Sequence, residues 1–116
     1  MLPRKNLIAL KKEFSRIKAS GKMYDSPSFG LLVSYQPPAT SRQQPACAFI
    51  VSKKIAKSSV IRHQVKRKLA DAIQIYLPRL PKNTELVFLA KQKATLATLT
   101  ELKTEIKVLL NRIKIL

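Results

Sequence analysis

The segment Ala46-Cys47-Ala48-Phe49-Ile50-Val51-Ser52-Lys53-Lys54-Ile55-Ala56-Lys57-Ser58-Ser59-Val60-Ile61-Arg62-His63-Gln64-Val65-Lys66-Arg67-Lys68 changes its period halfway along. The first six residues alternate, with Cys47, Phe49 and Val51 on one face and Ala48 and Ile50 on the other, which predicts a strand. Ser58 or Ser59 then caps a helix that runs to about Leu77, where Pro78 stops it. Ile61, Val65, Leu69, Ala72 and Tyr76 recur at helical spacing and form its apolar stripe. At about 100° per residue, Arg62, His63, Lys66 and Arg67 project away from that stripe. A strand followed by a one-faced helix calls for a sheet on which the helix can pack.

On the N-terminal side, Leu7, Leu10, Phe14 and Ile17 also recur at helical spacing, and Ser20-Gly21 ends that helix. Phe29 to Tyr35 reads as a strand, with a lesser extended piece over Lys22 to Tyr24. The residues from Gln36 to Pro45 form a polar, proline-rich loop to which we assign no function, although Arg42 could touch a phosphate. On the C-terminal side, Arg79 to Thr84 is a turn and Glu85 to Ala90 a strand, whose Leu86-Val87-Phe88-Leu89 run predicts burial on both faces. Thr98 and Glu101 make a capping box for a last helix with core positions Leu99, Leu102, Ile106, Leu109 and Ile113. Lys107, Arg112 and Lys114 suit the negative end of its dipole. The order helix, strands, helix, strand, helix describes one α+β domain over residues 1–116.

Charge narrows the function. The 116 residues carry 23 Lys and Arg against 6 Asp and Glu, a net charge of +17. The excess is concentrated before residue 71, where 15 Lys and Arg face only Glu13 and Asp25, and no acid lies between Asp25 and Asp71. Self-repulsion of that size destabilises a small fold unless a polyanion offsets it. Nucleic acid is the first candidate and an anionic membrane surface the second. No run approaches the ~20 apolar residues of a membrane span, and the first residues lack the apolar stretch of a signal peptide. Cys47 and His63 are the only Cys and His, too few for a structural zinc site. Cys47 sits in an apolar run and reads as a buried, inert thiol, which fits a reducing cytoplasm. Six mostly scattered carboxylates and one His make a protein acid–base pair or a two-metal carboxylate site improbable.

Residues 52–68 carry seven cations in seventeen positions. Closely spaced ammonium and guanidinium groups neutralise phosphates and release their counterions. Lys53, Lys54, Lys57, Arg62, His63, Lys66 and Arg67 are therefore the candidate nucleic-acid-binding residues; for an isolated run a merely solvated face would be as good a reading, but a chain at +17 weighs against it. Single-stranded nucleic acid also stacks its bases on exposed rings, and Phe14 and Phe49 are the candidates, with Phe29 behind them and core packing the plain alternative for each.

These residues identify a resemblance. From about Met1 to Ile113 the chain resembles the protein component of bacterial ribonuclease P. Met1-Leu2-Pro3-Arg4-Lys5-Asn6 and Lys11-Lys12-Glu13-Phe14-Ser15-Arg16-Ile17 look like that family's opening, including the Phe-x-x-Val/Ile pair of its first helix. Val51-Ser52-Lys53-Lys54 looks like its Ser/Ala-Lys-Lys strand end, and Thr98-Leu99-Thr100-Glu101-Leu102 also fits. Arg62 to Ala72 is similar to its most specific stretch, Arg-Asn-Arg-Ile-Lys-Arg-x-x-Arg-Glu-Ala. Departures are His63 for Asn, Gln64 for the second Arg, Ala70 for a frequent Arg, Ala56 where many members have Gly, and Lys18 at an often aromatic position.

The resemblance implies an α-β-β-β-α-β-α fold with a four-stranded central sheet, helices on one side and a left-handed βαβ crossover, like certain ribosomal proteins. It implies an accessory subunit. The ribonuclease P RNA subunit, with bound Mg²⁺, hydrolyses precursor tRNA at the mature 5′ end. The protein binds that RNA and holds the single-stranded 5′ leader between first helix and sheet, where Phe14, Ile17, Lys18 and Phe49 are the expected lining. No protein partner, no membrane and no catalytic residue of the chain's own is implied. The alternative is a stand-alone RNA-binding or ribosome-associated protein of similar fold.

Overall fold

Two periodicities in the chain, two-residue and helical, settle into a sheet with helices on both of its faces. The computed structural model describes residues 2–3, 6–35 and 44–115. In chain order these hold helix α1 (Leu10–Ser20), strands β1 (Lys22–Asp25), β2 (Phe29–Tyr35) and β3 (Ala46–Ile50), helix α2 (Ser59–Gln74), strand β4 (Thr84–Ala90) and helix α3 (Leu99–Arg112). Short 3-10 turns at Leu77–Arg79 and Gln92–Thr95 precede β4 and α3. Most of the proline-rich loop, Arg42 included, lies outside the described residues.

The sheet order is β1-β2-β4-β3. β1 and β2 form an antiparallel hairpin, β2 pairs antiparallel with β4, and β3 lies parallel to β4 across the β3-α2-β4 connection. Directly opposed residues share a face. One face therefore carries Phe29, Leu31, Val33, Cys47, Leu86 and Phe88, packed against Val65, Leu69, Ala72 and Ile73 of α2 and Leu102, Ile106, Leu109 and Leu110 of α3. The other carries Leu32, Ala46, Ala48 and Val87 beneath Ile17 of α1. The helices are thus divided between the faces, not gathered on one. The reason is the sheet's alternation: β2, β3 and β4 bury residues of both parities, so each face needs a cover.

Two expectations about helix limits change. Leu7 is not helical; it forms a parallel bridge with Cys47, and the Ile8 amide donates to the Cys47 carbonyl at 2.9 Å. The open edge of β3 takes the backbone that a longer helix would have used. In α2, Ile61 is 38% exposed, and the buried stripe is carried by Val65, Leu69, Ala70, Ala72 and Ile73, with Tyr76 just beyond it. Gly21, which follows α1, is fixed by space: a Cβ there would lie 2.6 Å from the Ile17 carbonyl and 2.9 Å from Leu32 Cδ1.

Polar contacts tie the helices down. Glu105 of α3 accepts hydrogen bonds from the Ser26 hydroxyl (2.7 Å), the Ser28 amide (2.9 Å) and the Ser28 hydroxyl (2.5 Å) in the β1–β2 turn. Burial works against that carboxylate's charge, and the three donors outweigh it, holding its pKa below the usual carboxylate range. Lys68 of α2 donates to the carbonyls of Ala94 (3.0 Å) and Ala97 (2.7 Å). Thr98 and Glu101 form both halves of the expected capping box.

Candidate nucleic-acid interface

β3 delivers its chain into a tight loop. Val51 is buried, whereas Ser52, Lys53, Lys54 and Lys57 are exposed. The loop turns back on itself through the Ile55 and Ala56 amides, which donate to the Ser52 carbonyl at 3.1 and 3.3 Å. Ser58 then caps α2, its hydroxyl accepting from the Ile61 amide. Because Val65 and Leu69 point into the core, His63, Gln64, Lys66 and Arg67 face solvent. The exposed cations of loop and helix form one surface, and Gln64, Arg67, Lys68 and Asp71 line a hollow of about 370 Å³ at its far end.

Arg62 differs from its neighbours. It is half-buried, and its Nη1 donates to the carbonyls of Ala56 (2.9 Å) and Lys57 (2.8 Å). That guanidinium fastens the lysine loop to the first turn of α2, so part of its hydrogen-bonding capacity serves the fold. Nothing in the cation count distinguishes it from Lys66; its place six residues after Ala56, on the first turn, is the only local signal.

The second region lies on the α1 face. Registers place Asp25, Gly30, Leu89 and Ile50 in one row across the sheet, Met23, Leu32, Val87 and Ala48 in the next, and Ser34, Glu85 and Ala46 in a third. α1 covers the second and third rows where β2, β4 and β3 carry them, but not Met23 at the β1 end. Ile17 packs with Leu32 and Val87, Ser20 Oγ lies 3.1 Å from Ser34 Oγ, and Arg16 reaches Glu85. The first row remains a shallow trough beside α1, with Phe14, Ile50 and Leu89 half-buried along it and Lys18 exposed on the helix.

The structure separates the residues expected to line this cleft. Phe14 and Lys18 are there. Ile17 is 0% exposed and forms the floor beneath α1, out of reach of any ligand. Phe49 lies on the opposite face, stacked on Phe88 at 5.4 Å with an interplanar angle of 17°; Phe29 meets the same Phe88 edge-on at 5.2 Å. Strand alternation is the cause: Ala48 and Ile50 face α1, so Phe49 between them must face α2. The trough residues of β3 and β4 are Ile50 and Leu89.

Arg16 is also inward. Its Nη1 and Nη2 donate to Glu85 at 3.1 and 2.8 Å, and its Nε to Glu13 at 2.9 Å. Glu85 is 2% exposed, and the hydrogen bonds to its carboxylate push the Arg16 pKa up from an already high value. The signal for this pair was available in the sequence: a lone acid at the head of a strand buried on both faces requires a cation. Cys47 is fully buried, and burial pushes its thiol well above the ordinary range, as its apolar setting implied.

A family model described as "Ribonuclease P" matches residues 2–114. The chain belongs to the ribonuclease P protein family. It is 34% identical over 111 residues to the ribonuclease P protein component of Caldanaerobacter subterraneus subsp. tengcongensis, covering 94% of this chain and 91% of that one. It is 27% identical over 116 residues to that of Rippkaea orientalis, covering 99% and 91%. Solved structures share the fold: the RNase P protein of Staphylococcus aureus at a TM-score of 0.79 with 18% identity, covering 95% of this chain and 96% of that one, and that of Thermotoga maritima at 0.75 with 18% identity, covering 91% and 96%. Membership in the ribonuclease P family gives the chain its role in that ribonucleoprotein and in tRNA processing, in preference to a stand-alone RNA-binding module. It also agrees with the α-β-β-β-α-β-α order and the resemblance that residues 62–72 carried most specifically.

Proposed function

We propose that this chain grips the ribonuclease P RNA subunit with the loop and helix from Lys53 to Arg67, and guides the single-stranded 5′ leader of precursor tRNA along the trough beside α1. The observation that carries this reading is the run of exposed cations Lys53, Lys54, Lys57, Lys66 and Arg67, uninterrupted by any acid, on the loop that follows trough residue Ile50 and on the helix α2 it leads into. Phosphates of a folded RNA meet the first surface, and a narrow apolar strip with a ring and a lysine at its side suits a few unpaired nucleotides. His63 and Gln64 lie among these cations as hydrogen-bonding neighbours, and Arg62 holds the loop that presents three of the lysines.

On this reading the bond is broken by the RNA subunit, and the protein supplies positive field and positioning. Among the described residues no three His, Cys, Asp or Glu side chains cluster to hold a metal. We assign the Mg²⁺ of the reaction to the RNA subunit. The chain works in the cytoplasm with RNA subunit and precursor tRNA as partners and needs no protein partner; among the described residues, no helix is long and apolar enough to cross a membrane.

Leader dependence tests the reading. Holoenzyme assembled with this chain should bind a precursor with a leader of several nucleotides more tightly than mature tRNA, and Phe14→Ala should shrink that difference several-fold. Equal affinity for precursor and mature tRNA would point to a generic RNA clamp instead.

A further inference from the structure

Met23 is exposed where an apolar side chain has no packing reason to be. It stands on the α1 face of β1, opposite Leu32, yet α1 does not cover it and it is 55% exposed. Its sulfur leans toward Gly30, one row higher on β2: a Cβ built at Gly30 would lie 3.5 Å from Met23 Sδ, 3.8 Å from the Tyr24 carbonyl and 3.9 Å from Asp25 Oδ1. These are ordinary contact distances, and Gly30 does not have a positive φ. Neither crowding nor backbone conformation requires glycine there, although glycine weakens a strand interior. What a branched side chain at position 30 would remove is the room for the Met23 thioether to lie low across the sheet. Asp25, the one acid in the row, is met by Lys91 Nζ at 3.0 Å, so the rim does not present an unpaired carboxylate to a passing phosphate.

We propose that Met23, lying across Gly30, is a platform on which a nucleobase of the single-stranded leader rests, making both residues leader-binding positions of the α1-side trough. The inference rests on the leader assignment above. A thioether is soft, polarizable and adaptable, and makes favourable contacts with aromatic rings. It accepts any of the four bases, because each offers a π-face. Met23 continues the trough past the end of α1's cover, so the path for the strand runs from Ile50 and Leu89 over Gly30 to β1.

Met23 is the only methionine besides Met1, which makes its oxidation a clean readout. Dilute hydrogen peroxide transfers one oxygen to the exposed sulfur and leaves water. Holoenzyme would be treated alone, with mature tRNA, and with leader-bearing precursor at Mg²⁺ too low for cleavage, and Met23 sulfoxide followed by mass spectrometry. The expected result is oxidation slowed about fivefold or more by precursor and unchanged by mature tRNA. In parallel, Gly30→Val should leave the thermal midpoint equal or higher and weaken precursor binding about three- to tenfold, without affecting mature tRNA. If Phe14→Ala removes the preference for precursor but Met23 oxidises equally fast with and without it, the platform is overturned and the leader path stands. If Phe14→Ala leaves the preference intact, the leader path falls and the platform with it.

Discussion

Removing the Arg16 side chain would strand the Glu85 carboxylate, which is 2% exposed and has both oxygens committed to that guanidinium. Breaking a buried pair from one side costs about 3–5 kcal/mol, so Arg16→Met is expected to lower unfolding stability by that order in urea titration. Arg16→Met with Glu85→Met should recover most of the loss, because no uncompensated charge remains. Recovery failing to appear would mean that Arg16 stabilises α1 by packing alone. A different outcome is expected on the α2 surface. Lys66→Ala with Arg67→Ala removes two exposed cations and should reduce the salt slope of RNA binding by about 1–2 without changing the thermal midpoint. Arg62→Ala should do the reverse in part: it frees the Ala56 and Lys57 carbonyls, lowers the midpoint by a few degrees, and weakens RNA binding through a loosened loop. Equal effects of the two variants on stability would contradict the separation of their roles.

Among the elements, α3 is held to the β1–β2 turn by Glu105, and this contact has a pH signature. The folded-state pKa of Glu105 is depressed by the Ser26 and Ser28 donors, which outweigh its partial burial. The stabilisation is therefore fully present above the unfolded value of about 4.3 and is lost as pH falls through the lower folded value. Glu105→Gln should lower the thermal midpoint at neutral pH, and the difference from the parent chain should shrink as the solution is acidified below about pH 4. A pH-independent difference would assign the effect to shape. Much of this architecture was legible beforehand. The strand over residues 29–35, a serine cap at 58 or 59 and the Thr98–Glu101 box follow from spacing and chemistry that act within a few residues. What was not legible depends on contacts far apart in sequence. Leu7 joins the edge of β3 because the Cys47 carbonyl accepts a hydrogen bond from the amide of the next residue, Ile8, which no helical count reveals. Phe49 has the right chemistry for a base, but only the covering of the two faces shows that α1 and Phe49 are on opposite sides. Arg62 reads as one more cation until the loop folds back onto it.

For the molecule as a whole, one number governs behaviour: a net charge of +17 on 116 residues. The fold spends few of these charges internally. Among the described residues Arg16 meets Glu13 and Glu85, and Lys91 meets Asp25, while Lys53, Lys54, Lys57, Lys66 and Arg67 stay at the surface. With about six phosphate contacts on a single strand, raising salt from 50 to 200 mM should weaken RNA binding on the order of several hundred-fold. The same charge that steers RNA inward also makes the bare protein repel itself, so added polyanion should raise its thermal midpoint. The decisive measurement is a magnesium titration of precursor tRNA cleavage with a matching ribonuclease P RNA, with and without this chain, beside the chain alone. The chain should shift cleavage to lower Mg²⁺ and cut nothing by itself. Leader removal by the nucleotide-free polypeptide, or an RNA whose magnesium dependence does not move when the chain is added, would contradict it.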